Sequence, residues 1–111
     1  MRILVCGSRN YTDAELIRGI LNIYRDDSPT IVHGDCRGAD SIADHAALML
    51  GYDSERWAAD WKKHGRAAGP IRNRQMLDSG VDLVLAFGVG RGTSDCVGEA
   101  TRRNIPVVRH P

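Results

Sequence analysis

Short apolar runs alternate with stretches of helical periodicity along all 111 residues, and glycines gather where the apolar runs end. Arg2–Cys6 (RILVC) and Thr30–His33 read as the first two strands, and Pro106–Arg109 as the last. Val81–Phe87 (VDLVLAF) is apolar almost throughout, the pattern of a central parallel strand buried on both faces. Tyr52–Ala58 is polar and alternating, as an edge strand is. Between strands, Leu16, Ile17, Ile20, Leu21 and Tyr24 recur at helical spacing behind Thr12-Asp13-Ala14-Glu15. That tetrad is a capping box with Thr12 as N-cap and Glu15 reaching back to its amide. Further helices are expected over Ala39–Leu50, Ile71–Ser79 and Ser94–Arg103, with Asp60–Pro70 irregular. Five strands and four helices in alternation require right-handed crossovers. The expected fold is therefore α/β, a Rossmann-like three-layer sandwich with a mostly parallel sheet and helices on both faces. The length fits one domain over residues 1–111.

Charge narrows the function classes. Fifteen Lys+Arg stand against 14 Asp+Glu, a formal net charge of +1, which argues against a broad nucleic-acid footprint. All but Lys62 and Lys63 of the basic residues are arginines, whose planar forks suit carboxylates and phosphates; GC-rich coding would give the same skew. The apolar start Ile3–Cys6 is too short for a secretory or membrane segment. Cys6, Cys36 and Cys96 are odd in number and widely spaced, so a cytoplasmic protein without a disulfide framework is expected. No Cys-x-x-Cys spacing supports a metal site, and none is expected.

In an open parallel sheet, ligands bind beyond the carboxyl ends of the strands, near the point where strand order reverses. Eight of the 12 glycines (Gly7, Gly34, Gly38, Gly65, Gly69, Gly88, Gly90 and Gly92) fall in expected loops after strands. Tight turns alone would use glycine, but these loops also carry arginine or hydroxyl partners: Gly7-Ser8-Arg9, Arg37-Gly38 and Gly90-Arg91-Gly92-Thr93. Glycine lets backbone amides approach an anion, and a helix N-terminus adds its dipole. The loop Gly88-Val89-Gly90-Arg91-Gly92-Thr93, between the buried strand and the last helix, is the strongest candidate phosphate site. It is neither a P-loop nor a GxGxxG after the first strand.

Four ordered motifs carry a family resemblance: Gly7-Ser8-Arg9; His33-Gly34-x-x-Arg37-Gly38-Ala39-Asp40; Gly69-Pro70-Ile71-Arg72-Asn73-x-x-Met76; and Gly90-x-Gly92-Thr93. Together they resemble the YspA/cpYpsA-related branch of the SLOG superfamily, named for the Smf/DprA and LOG proteins. The resemblance implies a Rossmann-like domain with a nucleotide-type ligand over the strand ends, no obligate cofactor, and a homodimer. LOG enzymes cleave the N-glycosidic bond of cytokinin nucleotides, whereas DprA binds single-stranded DNA. By the resemblance, Gly90, Gly92 and Thr93 match the LOG phosphate loop, and Arg72 matches its catalytic arginine. Cys96 stands where LOG carries a glutamate, and Asp95, one residue away, is turned by about 100° on a helix.

Three functions follow. The first is binding or sensing of a phosphorylated nucleotide derivative, such as a nucleoside monophosphate or an NAD- or ADP-ribose-like compound. The second is a LOG-like phosphoribohydrolase with Arg72 and Asp95 as candidate catalytic residues. The third, least favoured by charge and length, is single-stranded DNA binding. The candidate ligand-binding set is Gly7, Ser8, Arg9, Gly34, Arg37, Gly38, Asp40, Arg72, Asn73, Gly90, Arg91, Gly92 and Thr93. Asp35 and Asp40 flank Arg37, and Asp40 also suits a helix cap. His33 suits a structural hydrogen bond better than acid–base work, as does His64. Trp61, in a polar stretch, suits either stacking on a base or packing its loop against the core.

Overall fold

The computed structural model describes residues 1–111. Five strands, β1 (Arg2–Gly7), β2 (Thr30–His33), β3 (Asp53–Arg56), β4 (Leu83–Phe87) and β5 (Val107–His110), form one sheet in the order β3-β2-β1-β4-β5. Every pairing is parallel. Side chains alternate across the sheet as strand geometry requires. Ile3, Val5, Ile31, Leu83, Leu85 and Phe87 pack on one face, and Leu4, Cys6, Val32, Val84 and Ala86 on the other. The first face is covered by α1 (Ala14–Asn22) and α2 (Ala39–Leu50), through Ile17, Leu21, Ala39, Ala43, Ala46 and Ala47. The second is covered by α4 (Ala68–Asp78) and α5 (Arg91–Arg102), through Met76, Leu77, Cys96 and Ala100. The result is an α/β/α sandwich. β4 is buried at every position, whereas polar β3 lies at an edge, as its composition indicates. No helix is long and apolar enough to cross a membrane.

Four local expectations are corrected. The N-cap of α1 is Asp13, whose carboxylate accepts from the Leu16 amide at 3.1 Å, and not Thr12 with Glu15. Asp60–Pro70 is not irregular: a four-residue helix, α3 (Trp61–His64), and a 3₁₀ turn lead straight into α4. Helix α4 starts at Ala68, so Pro70 sits in its first turn, where a missing N–H costs nothing. Helix α5 begins at Arg91, which puts Gly92 inside the first turn and not in the loop.

The chain leaves β1 toward α1 on one face and leaves β4 toward α5 on the other. The two loops diverge, and a crevice opens between neighbouring strands β1 and β4. Close backbone packing at the end of β1 demands glycine. A Cβ on Gly7 would stand 2.3 Å from the Phe87 carbonyl oxygen and 2.6 Å from the Ala39 Cβ.

Candidate functional site

A cleft of about 380 Å³ occupies the crevice at the β1–β4 switch point. Of the 13 candidate ligand-binding residues, Gly7, Ser8, Arg9, Gly34, Asp40, Arg72, Asn73, Gly90, Arg91, Gly92 and Thr93 line it. Arg37 and Gly38 do not. Arg37 is exposed on the outer side of the loop after β2, and Gly38, at φ +77°, forms the N-cap of α2 against the Ser8 carbonyl. Val5, Cys6, Asn10, Cys36, Met76 and Val89 also line the cleft and were not among the candidates. Met76 was legible, being one helical turn beyond Arg72 on the same face. Val5 and Cys6 follow from the end of β1, while Asn10 carries no sequence signal.

Arg72 lies across the cleft floor and is only 7% exposed. Its Nη1 donates to the Gly34 carbonyl at 2.5 Å and, more weakly, to the Trp57 carbonyl at 3.4 Å. Its Nε donates to Asn73 Oδ1 at 3.0 Å. The guanidinium lies directly over Gly34, the residue after β2, where a Cβ would meet Nη1 at 2.5 Å, so any side chain there would displace Arg72 from this position. No protein acceptor meets Nη2, which opens onto the cleft. Asn73 carries the arrangement onward: its Nδ2 donates to Asp95 Oδ2 at 3.0 Å and to the Gly92 carbonyl at 3.4 Å. One amide thus ties the arginine of α4 to the first turn of α5.

That first turn has no side-chain cap. Its opening amides, with the positive end of the helix dipole, face the cleft through Arg91, Gly92 and Thr93. A Cβ on Gly92 would meet nothing within 4 Å, so the fold itself does not require glycine there. The N-terminus of α2 differs, because the Ala39 amide donates to the Ser8 carbonyl at 3.1 Å.

Asp40 is the only carboxylate in the lining. It does not cap α2; its Oδ2 accepts the Gly34 amide at 3.0 Å and the Cys36 amide at 3.4 Å, which holds the loop after β2 in place. Burial pushes its carboxyl up, against the pull of those two amides and of Arg72. With Arg9, Arg72 and Arg91 opposite, the lining is net positive.

His33 is buried and structural. Its Nε2 donates to Asp44 Oδ1 at 2.9 Å, and its Nδ1 accepts from the Asp35 amide at 3.0 Å. Asp95, the candidate catalytic carboxylate, reaches Asn73 but does not line the cleft. Cys96 is fully buried in the core beside Cys6. Their contact, with burial, pushes the Cys6 thiol well above its ordinary range.

Comparisons with known proteins agree with this architecture. The Gene 61 protein of Mycobacterium phage D29 is 39% identical over 117 aligned positions, covering 96% of this chain and 94% of that protein. The X-ray structure of TM1055, a structural genomics target, superposes with a TM-score of 0.72 at 16% identity, over 96% of this chain and 71% of that one. DNA processing protein A (DprA) from Streptococcus pneumoniae superposes with a TM-score of 0.59 at 17% identity, and this chain spans 58% of its length. The model of the YspA, cpYpsA-related SLOG family matches residues 1–64, which hold the first two of the four motifs read from the sequence. With the sandwich, the switch-point crevice and those motifs in agreement, the chain belongs to the YspA, cpYpsA-related SLOG family.

Proposed function

We propose that the chain binds a phosphorylated, nucleotide-derived small molecule in the switch-point cleft, with a phosphate at the N-terminus of α5. The observation that carries this reading is Arg72, a buried guanidinium with one nitrogen unpartnered and facing the same cleft as an uncapped helix terminus. A phosphate oxygen would accept from this free nitrogen in a charge-assisted hydrogen bond, while the rest of the guanidinium is already fixed by the protein. The open space above Gly92 lets an anion reach the first-turn amides. A cleft of about 380 Å³ is in the size range of small-molecule sites.

Glycosidic hydrolysis is less well supported. It needs a group that steadies positive charge on the ribose or activates water, usually a carboxylate. Cys96 lies in the core, Asp95 is held by Asn73 outside the lining, and Asp40 is engaged with two loop amides. Single-stranded DNA binding would need a basic groove tracking several phosphates with successive aromatic platforms, and the near-neutral chain offers little toward one.

The test is a denaturation-midpoint screen against nucleoside monophosphates, ADP-ribose, NAD, inorganic phosphate and a single-stranded oligonucleotide. A ligand at one hundred times its Kd stabilises the fold by about 2.7 kcal/mol. Stabilisation by a phosphorylated nucleotide, and not by the oligonucleotide, is expected. Stabilisation by the oligonucleotide alone would refute the proposal.

A further inference from the structure

We infer that the exposed face of Trp61 is a stacking platform for a planar base, so that the ligand carries a nucleobase-like ring as well as a phosphate. This inference rests on the phosphate reading above and adds the second half of the ligand.

The two tryptophans are placed differently. Trp57 is half-buried, packs against the core on the α4–α5 face, and its Nε1 donates to Glu55 at 3.3 Å. Trp61 is 50% exposed, belongs to neither core cluster, and its indole nitrogen has no protein acceptor. Packing a loop onto the core therefore does not account for it. The ring is nonetheless held in place. Asp60 caps α3 by accepting the Lys63 amide at 3.1 Å, and Trp61 Cη2 lies 3.5 Å from the position of a Cβ on Gly69.

That same position on Gly69 lies 3.9 Å from Arg72 Nη2, the unpartnered nitrogen of the cleft floor. The indole edge and the anion-facing guanidinium thus share one neighbourhood beside Gly69. A shallow depression lined by Arg9, Asp35, Cys36, Arg37 and Trp61 shares Arg9 and Cys36 with the main cleft, so the two adjoin. Arg37, outside the main lining, belongs to this outer part.

The Arg9 guanidinium carbon stands 5.9 Å from the centre of the Trp61 ring, near the outer limit of about 6 Å for a cation–π contact. A planar cation so far from the ring holds its place weakly. A base stacks closer, takes the position over the indole, and leaves Arg9 free to turn toward the phosphate. Stacking tolerates any base, because every base has a π-face, so the platform selects a ring and not a particular nucleotide.

The experiment compares ribose 5-phosphate with adenosine, guanosine, cytidine and uridine 5′-monophosphates by titration calorimetry. The proteins are the wild type, Trp61→Ala and Trp61→Phe, each first checked for folding by circular dichroism. The expected result is that the best nucleotide binds the wild type about 5- to 150-fold tighter than ribose 5-phosphate. Trp61→Ala should erase that ratio and leave ribose 5-phosphate binding unchanged, while Trp61→Phe keeps most of it. Equal binding of sugar phosphate and nucleotide by the wild type, or an undiminished ratio in Trp61→Ala, would overturn the stacking platform and leave the phosphate site standing. If neither class of ligand binds, the phosphate reading falls and this inference falls with it.

Discussion

Replacing Gly92 by aspartate should move stability and binding in opposite directions. Gly92 is the second residue of α5, and its added Cβ meets no atom within 4 Å. Removing a helical glycine recovers a few tenths of a kcal/mol. A carboxylate in the first turn gains a further 0.3–1 kcal/mol, about, from the helix dipole. The unliganded variant should therefore be more stable by about 0.5–1.5 kcal/mol. Binding should collapse. A carboxylate about 5 Å from a phosphate, at an effective dielectric of about 20, repels each unit of its charge by roughly 3 kcal/mol, more than a hundredfold in affinity. Urea denaturation followed by circular dichroism reads the first effect, and calorimetric titration with the best nucleotide of the screen reads the second. Unchanged affinity in the folded variant would remove the phosphate from α5. A loss of stability above about 1 kcal/mol would show that Gly92 has a structural role the geometry does not contain.

Arg72→Lys should weaken both folding and nucleotide binding by about 1–3 kcal/mol each, because one ammonium cannot serve the Gly34 carbonyl, Asn73 and a phosphate together; wild-type affinity in calorimetry would contradict this. Chromatography of reactions with adenosine, cytidine and cytokinin monophosphates should show no release of free base, and turnover at several per second would reinstate the hydrolase. Cys96→Glu should not create that activity but should lower the urea-derived stability by more than about 3 kcal/mol, since it buries a carboxylate in the apolar core. Asp44 is held well below the usual carboxylate range, first by its hydrogen bond from Arg56 and then by those from His33 and Ser54. A lowered folded pKa gives stability that is complete above the unfolded value of about 3.9 and is lost as pH falls below it. Asp44→Asn should thus cost about 1 kcal/mol at pH 7 and show a shallower further decline between pH 4 and 2; parallel acid profiles would refute that role.

The sheet was legible because its signals are local and repeated. The all-apolar run ending at Phe87 could only be central, and the polar Asp53–Arg56 could only lie at an edge. Helix boundaries were less so. Thr12 and Asp13 are both good caps one residue apart, and which one serves depends on how the chain turns after β1, a tertiary matter. Pro70 reads as punctuation but is harmless in the first turn of α4, which hid the true start of that helix. Glycine-rich loops showed which residues could meet at the strand ends. They could not show that Arg37 faces outward while Arg72, inside α4, lies flat over Gly34. That distinction comes from side-chain direction across a long-range packing contact, which no spacing rule encodes.

The Ser8 carbonyl has a consequence for ligand stoichiometry. It accepts both the Tyr11 amide at 3.2 Å and the Ala39 amide at 3.1 Å, so the turn after β1 is fastened onto the start of α2. Of the two helices whose first turns line the cleft, α2 and α5, only α5 presents a terminus whose first amide is not already taken by the chain. If the proposed phosphate site holds, the protein would act toward anions as a monovalent receptor. A compound with two separated phosphates would engage one of them on a helix and must seat the other on arginine side chains, or else unfasten the turn. Selectivity between singly and doubly phosphorylated ligands would thus be set by a backbone carbonyl, at a position where no side-chain substitution can remove the atom responsible.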